Sequence, residues 1–297
     1  MLAFFCNHRI IMLNSNIKIS SGKNISYENF PVGSWLLPRA LRRHIITFYN
    51  FARAADDIAD AANIDPDEKD RKLNQFIEGI TKTNSEDGLP LNALQMAKSL
   101  RETNISEKYC LDLLSAFKQD VRKIRYNNWQ ELIDYCHLSA APVGRYMIDL
   151  HGGFRNGTSN NYKASDALCT ALQILNHLQD CREDFQLLNR VYLPLDMMKK
   201  RNATVDHLTA GAISLTLRDC VDDMLDSIDI LIAEAGEFPL KLKSLRLGME
   251  SQIIINIAIE LSKKLRKSDP IVATVKLSKF TYIRCFILGG FRALIRC

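Results

Sequence analysis

Apolar residues recur at three- and four-residue spacing along almost the whole chain, and no stretch alternates apolar with polar over several strands. That period predicts helices. Proline and glycine, only 8 and 13 in number, gather at a few places: Pro31 and Pro38, Asp65-Pro66, Gly88-Leu89-Pro90, Gly152-Gly153, Pro194, Gly236 to Pro239, and Asp269-Pro270. The helices predicted between these breaks run over about 39–62, 67–80, 91–101, 106–124, 129–150, 163–187, 204–235 and 239–267. No low-complexity linker divides them and no fixed-period repeat is visible. The expectation is one all-α domain over 25–297, preceded by an N-terminal extension over 1–24.

At 297 residues with 47% hydrophobic content, the chain is long enough to bury a large core. A net charge of +5 suits an anionic substrate or anionic lipid head groups but is too weak to argue nucleic acid, and no nucleic-acid or nucleotide-binding motif is present. The eight cysteines show no C-x-x-C pairs and no framework spacing, which fits reduced core thiols. Nothing reaches the length of a spanning helix. The tail from Val272 is basic and amphipathic: Lys276, Lys279, Arg284, Arg292 and Arg296 are interleaved with Phe280, Ile283, Phe286, Ile287, Leu288 and Phe291. Such a segment either lies in a membrane interface or packs as a last helix on the domain.

Two acidic stripes carry the chemistry. In FYNFARAADDIADA, Asp56 and Asp60 share a helix face with Ile45, Tyr49 and Ala52, while Asp57 lies beside them and Arg53 one turn earlier. In CTALQILNHLQDCREDF, Asn176, Asp180 and Asp184 fall on one stripe, with Gln173 and Cys169 further up it. One acidic pair at this spacing is usually a solvated face. Two oxygen stripes on helices otherwise too apolar for the surface are harder to dismiss, because carboxylates there are costly to ionise without a cation. An all-oxygen ligand set suits Mg²⁺, which binds through a few carboxylates plus substrate phosphate. Facing stripes would hold a diphosphate through the metal, and the surrounding apolar helices would shield a carbocation from water.

The segment YENFPVGSWLLPRALRRHIITFYNFARAADDIAD, then YCHLSAAPVGRYMIDLHG, then ALQILNHLQDCREDFQLLNRVYLP resemble, in order, three signatures of the squalene/phytoene synthases. The resemblance implies a single-domain isoprenoid synthase helical bundle with a central cavity. It implies Mg²⁺ on Asp56, Asp60, Asn176, Asp180 and Asp184, supported by Asp57 and Glu183. Arg53 would contact a diphosphate, and Arg190 would do so or fix the helix end. Tyr135 and Tyr192 match tyrosines near the reacting carbons, or else are core tyrosines. Ala140, Ala141 and Gly144 would leave room for prenyl chains or serve close helix packing.

Ser26-Tyr27-Glu28-Asn29-Phe30 stands where condensing members carry a serine-rich segment, which puts Asn29 among the substrate-side positions. Gln179 stands where those members carry arginine. These departures, with E-N-F-P-V, S-A-A-P-V-G-R and K-L-S-K, look like the branch that turns presqualene diphosphate and water into hydroxysqualene and pyrophosphate in the squalene and hopanoid route. The alternatives are a head-to-head condensing enzyme acting on farnesyl diphosphate, and a non-catalytic assembly protein of the same fold. The expected setting is cytoplasmic, with peripheral contact at the inner face of the membrane and with other enzymes of the squalene route.

Overall fold

The computed structural model of the chain describes residues 38–82, 87–154 and 162–295. The extension over 1–24, Asn29 and the side chains of Phe291, Arg292 and Arg296 lie outside the described residues. Thirteen α-helices are described: α1 (Arg39–Asp60), α2 (Pro66–Thr81), α3 (Leu91–Thr103), α4 (Lys108–Arg122), α5 (Trp129–Ser139), α6 (Ala141–Leu150), α7 (Lys163–Gln179), α8 (Cys181–Leu188), α9 (Leu195–Lys200), α10 (Leu215–Glu234), α11 (Phe238–Lys241), α12 (Leu245–Leu265) and α13 (Lys279–Ile295). Among the described residues there is no strand, only isolated bridges at Arg125–Val191 and Phe154–Leu242. The expected all-α class is the observed one.

Helix α7 is the axis of the bundle. Every residue from Ser165 to Gln179 is buried, and α5, α6, α10 and α12 pack around it. Each leucine removed from water there contributes about 1.5–3 kcal/mol. On the other side α1 packs on α3 and α4, and α2 lies against α4. Ring stacking joins the two halves: Phe48 of α1 lies on Tyr146 of α6 with centroids 4.1 Å apart, and the Tyr146 hydroxyl donates to the His44 carbonyl at 3.2 Å. Local signals set several helix starts. Asp65 caps α2 with Pro66 in its first turn, and Asn128, Ser214 and Ser244 cap α5, α10 and α12.

Four predicted helices are divided, one of them, 239–267, into α11 and α12 at the extended backbone of Leu242. The span 129–150 breaks at Ala140 because Pro142 has no N–H to give and its ring crowds the carbonyl of Leu138. The span 163–187 breaks at Asp180, where no proline or glycine stands. Tertiary ties flank that break: Gln179 Nε2 donates to the Val275 carbonyl, and Arg182 donates to the Ile271 carbonyl at 2.6 Å. The span 204–235 begins as a short 3₁₀ turn, and α10 starts only at Leu215.

Helix α13 lies along α12. A Cβ on Gly289 would stand 2.7 Å from an Ile253 side-chain carbon, so the two helices meet closely there. Its opposite face, with Phe280, Ile283, Ile287 and Leu288, is exposed. No helix among the described residues is long and apolar enough to cross a membrane.

Candidate active site

A cavity of about 560 Å³, part of it solvent at its mouth, opens between α1 and α4 on one side and α7 and α8 on the other. Asp56 and Asp60 of α1 line it together with Asn176, Asp180 and Asp184 from α7 and α8, so both sequence stripes face one hollow. The mechanism needed this geometry, since stripes on opposite surfaces could not share a ligand.

Burial first, and then the charge of neighbouring Asp60, raise the carboxyl of Asp56 well above the usual range; Arg53 draws it part of the way back. The Arg53 guanidinium lies 3.4 Å from Asp56 and 2.8 Å from Asp57, within one helix, and the residue is not among those lining the cavity. Arg190 does line it. Its guanidinium donates to Asp60 at 2.6 Å and to the Ala59 carbonyl at 3.3 Å, so it also closes the end of α1.

Tyr135 and Tyr192 both face the cavity, and both donate to one carboxylate. The Tyr135 hydroxyl reaches Asp120 Oδ2 at 2.7 Å and the Tyr192 hydroxyl reaches Oδ1 at 3.2 Å. Asp120, on α4, was not singled out from the sequence. Its signal was an acid on the stripe of Leu113 and Phe117, which the fold buries. Burial pushes its carboxyl up to about 7, against the opposing pull of Arg190 and the tyrosine hydroxyls. His177 lies flat on the Tyr192 ring, with centroids 3.5 Å apart. Burial, reinforced by Arg190, pushes it down to about 3, so it is neutral. Tyr126 packs on both tyrosines from outside the lining, and the rings of Tyr135, Tyr192 and His177 form an aromatic wall whose π-faces can stabilise a passing cation.

Other expected residues stand elsewhere. Asp57 and Glu183, expected to support the ligands rather than to line the site, are outside the cavity lining. Gly144 is occupied by helix packing, since a Cβ there would lie 2.5 Å from Cys169 Sγ and from Ser165 Oγ. Ala140 is buried at the α5–α6 break and is likewise outside the lining. Gln179 is buried with its amide nitrogen on the Val275 carbonyl, so it too turns away from the cavity.

The five expected ligands, Asp56, Asp60, Asn176, Asp180 and Asp184, are four carboxylates and one amide, all hard oxygen, which fits Mg²⁺; Asp120, Gln173 and His177 line the same cavity. Among the described residues no group of three histidine, cysteine or acidic side chains converges on a single point.

The squalene/phytoene synthase family matches the chain over residues 25–281. A hydroxysqualene synthase of Rhodopseudomonas palustris is 38% identical over 95% of this chain and 93% of its own length. One from Sinorhizobium fredii is 39% identical over 84% of each chain. Among solved structures, the squalene synthase HpnC of Alicyclobacillus acidocaldarius superposes with a TM-score of 0.67 at 28% identity, over 80% of this chain and 88% of that one. With that match spanning nearly all of the described bundle and both acidic stripes, the chain belongs to the squalene/phytoene synthase family.

Proposed function

We propose that the chain is a hydroxysqualene synthase, converting presqualene diphosphate and water to hydroxysqualene and pyrophosphate. The observation that carries this reading is the 38% identity to a hydroxysqualene synthase along 95% of the chain. The site supports it chemically. Asp56, Asp60, Asn176, Asp180 and Asp184 would hold Mg²⁺, which supplies positive charge to the departing diphosphate. Arg190 adds a fixed positive charge at the same wall. The rings of Tyr135, Tyr192 and His177 face the cation left behind, and the buried helices limit which water reaches it.

The test is to offer purified protein presqualene diphosphate and farnesyl diphosphate separately, with Mg²⁺, with and without NADPH, and to weigh the products. Hydroxysqualene from the former, without a reductant, is the expected result. Consumption of farnesyl diphosphate alone would make it a condensing enzyme instead. A purely scaffolding relative would turn over neither and would show no Mg²⁺-dependent thermal shift, and it would have no reason to keep five oxygen ligands around one hollow.

Both substrate and product are water-insoluble hydrocarbons for most of their length, so we place the protein in the cytoplasm, in contact with the inner face of the membrane. The exposed apolar face of α13, bordered by Lys279 and Arg284, is the surface with the chemistry for that contact. Nearness to other enzymes of the squalene route would follow from the shared membrane.

A further inference from the structure

Ser139 ends α5 one turn after Tyr135, so the two side chains fall on the same helix face, and both line the cavity. Ser139 is only 2% exposed. A serine inside a helix ordinarily bonds back to the carbonyl one turn earlier. Here no donor or acceptor among the described residues meets its Oγ. A buried hydroxyl in that state is costly, and such groups in native folds commonly belong to water or to a ligand. Next to it, Tyr135 has committed its only proton to Asp120, so the phenol oxygen faces its surroundings as an acceptor.

We propose that Ser139 Oγ holds the water molecule that captures the rearranged carbocation, and that the Tyr135–Asp120 pair takes the proton this water gives up. The inference rests on the hydroxysqualene reading and names the residues that make the reaction end in an alcohol. A lone pair of the water oxygen forms the new carbon–oxygen bond. One O–H bond of that water then breaks and its electrons stay on oxygen. The proton passes to Tyr135 Oη as the tyrosine's own proton moves to Asp120 Oδ2, and the carboxylate becomes a carboxylic acid. Loss of that proton to solvent after the product leaves restores the starting state. Asp120 suits the task because burial holds it near neutrality, where it accepts and returns a proton with little cost either way. Without an oriented water, the cation would end by losing a proton from carbon and give an olefin.

The test uses the full chain with presqualene diphosphate and Mg²⁺, measuring pyrophosphate and the organic products together. For Ser139→Ala the share of hydroxysqualene should fall by about tenfold or more beyond any fall in pyrophosphate release, with C30 olefins in its place. The melting temperature of the metal-free variant should equal or exceed that of wild type, because the substitution removes a buried polar group that no protein atom satisfies. Asp120→Asn should shift the products in the same direction. An unchanged hydroxysqualene share in Ser139→Ala, at any rate of pyrophosphate release, would overturn the water seat. An unchanged share in Asp120→Asn alone would overturn the proton path. A wild-type protein that leaves presqualene diphosphate untouched would instead sink the functional reading, and with it this one.

Discussion

The Arg190 guanidinium meets the carboxylate of Asp60 at 2.6 Å, joining the connector after α8 to the last residue of α1. Helix α1 ends in Asp56, Asp57 and Asp60 with no basic residue in its last turn. Acids there oppose the helix dipole. Arg190 supplies the missing positive charge from outside, and Lys69 helps by donating to the Ala59 carbonyl at 2.9 Å. Arg190→Gln leaves Asp60 and Asp120 without their cation and should cost about 3 kcal/mol, read from urea unfolding. In a double-mutant cycle, Asp60→Asn should cost less in that background than in wild type.

Asp56→Ala and Asp180→Ala should abolish pyrophosphate release while leaving the fold intact. In the metal-free protein, Asp56 carries a carboxyl that burial and Asp60 make hard to ionise. Its removal should therefore leave the melting temperature of metal-free protein equal or higher. It should also weaken the rise that Mg²⁺ with inorganic pyrophosphate gives to wild type. Retained turnover in either variant would count heavily against the mechanism.

Stability of the metal-free protein should respond to pH through two opposed groups. Asp120 ionises near 3.8 when unfolded but near 7 in the fold, so between those values the native state keeps a proton that the unfolded chain has lost. Its contribution is therefore present at low pH and fades as pH rises from about 4 to 7. His177 is the reverse: the unfolded chain gains a proton below 6.5 and the native state refuses it down to about 3. Its contribution fades as pH falls through that window. Each limb is worth at most about 5 kcal/mol, and over pH 4 to 6.5 they offset one another in wild type. Asp120→Asn should expose the histidine limb, with stability lost on acidification, and His177→Gln should expose the other, with stability lost toward neutrality. Identical pH profiles for all three proteins would refute this.

Gly144→Ala should destabilise by about 1–3 kcal/mol, since its Cβ would drive into Cys169 and Ser165 at the α6–α7 contact. Gly211→Ala, with nothing within 4 Å of the added carbon and no left-handed backbone, should be neutral or stabilise by about 0.4–1 kcal/mol. Thermal melts of the two variants side by side give the comparison.

The exposed face of α13 should bind anionic lipid. Cosedimentation with vesicles of mixed phosphatidylcholine and phosphatidylglycerol should fall at least about tenfold for Phe280→Ser with Ile287→Ser, with turnover of detergent-solubilised substrate preserved. Equal binding by wild type and the double variant would remove the membrane from the account.

Much of this was legible in the sequence because the helical period is strong. A helix as apolar as α7 has only one place to go, and carboxylates on such helices mark an inward face. What the period cannot register is interruption by distant ties. Nothing local distinguishes Asp180 from its neighbours, and the break there lies between two side chains anchored to the segment around Ile271 and Val275. The break at Ala140, by contrast, was written in Pro142. Asp120 escaped notice because a lone acid on an amphipathic helix reads as a boundary residue. Only the fold brings it under tyrosines 15 and 72 residues away. Gln179 drew notice for standing where condensing members carry arginine, and the fold puts its amide on the Val275 carbonyl, outside the cavity lining.

The contact at Gly144 ties the identities of distant positions together. Hydrogen at 144 is what allows sulfur at 169 and a hydroxymethyl at 165 to lie side by side against the neighbouring backbone. Relatives that carry alanine or anything larger at this point should show smaller groups at one or both of the others, and a survey of natural variants can look for that three-way compensation without touching the enzyme.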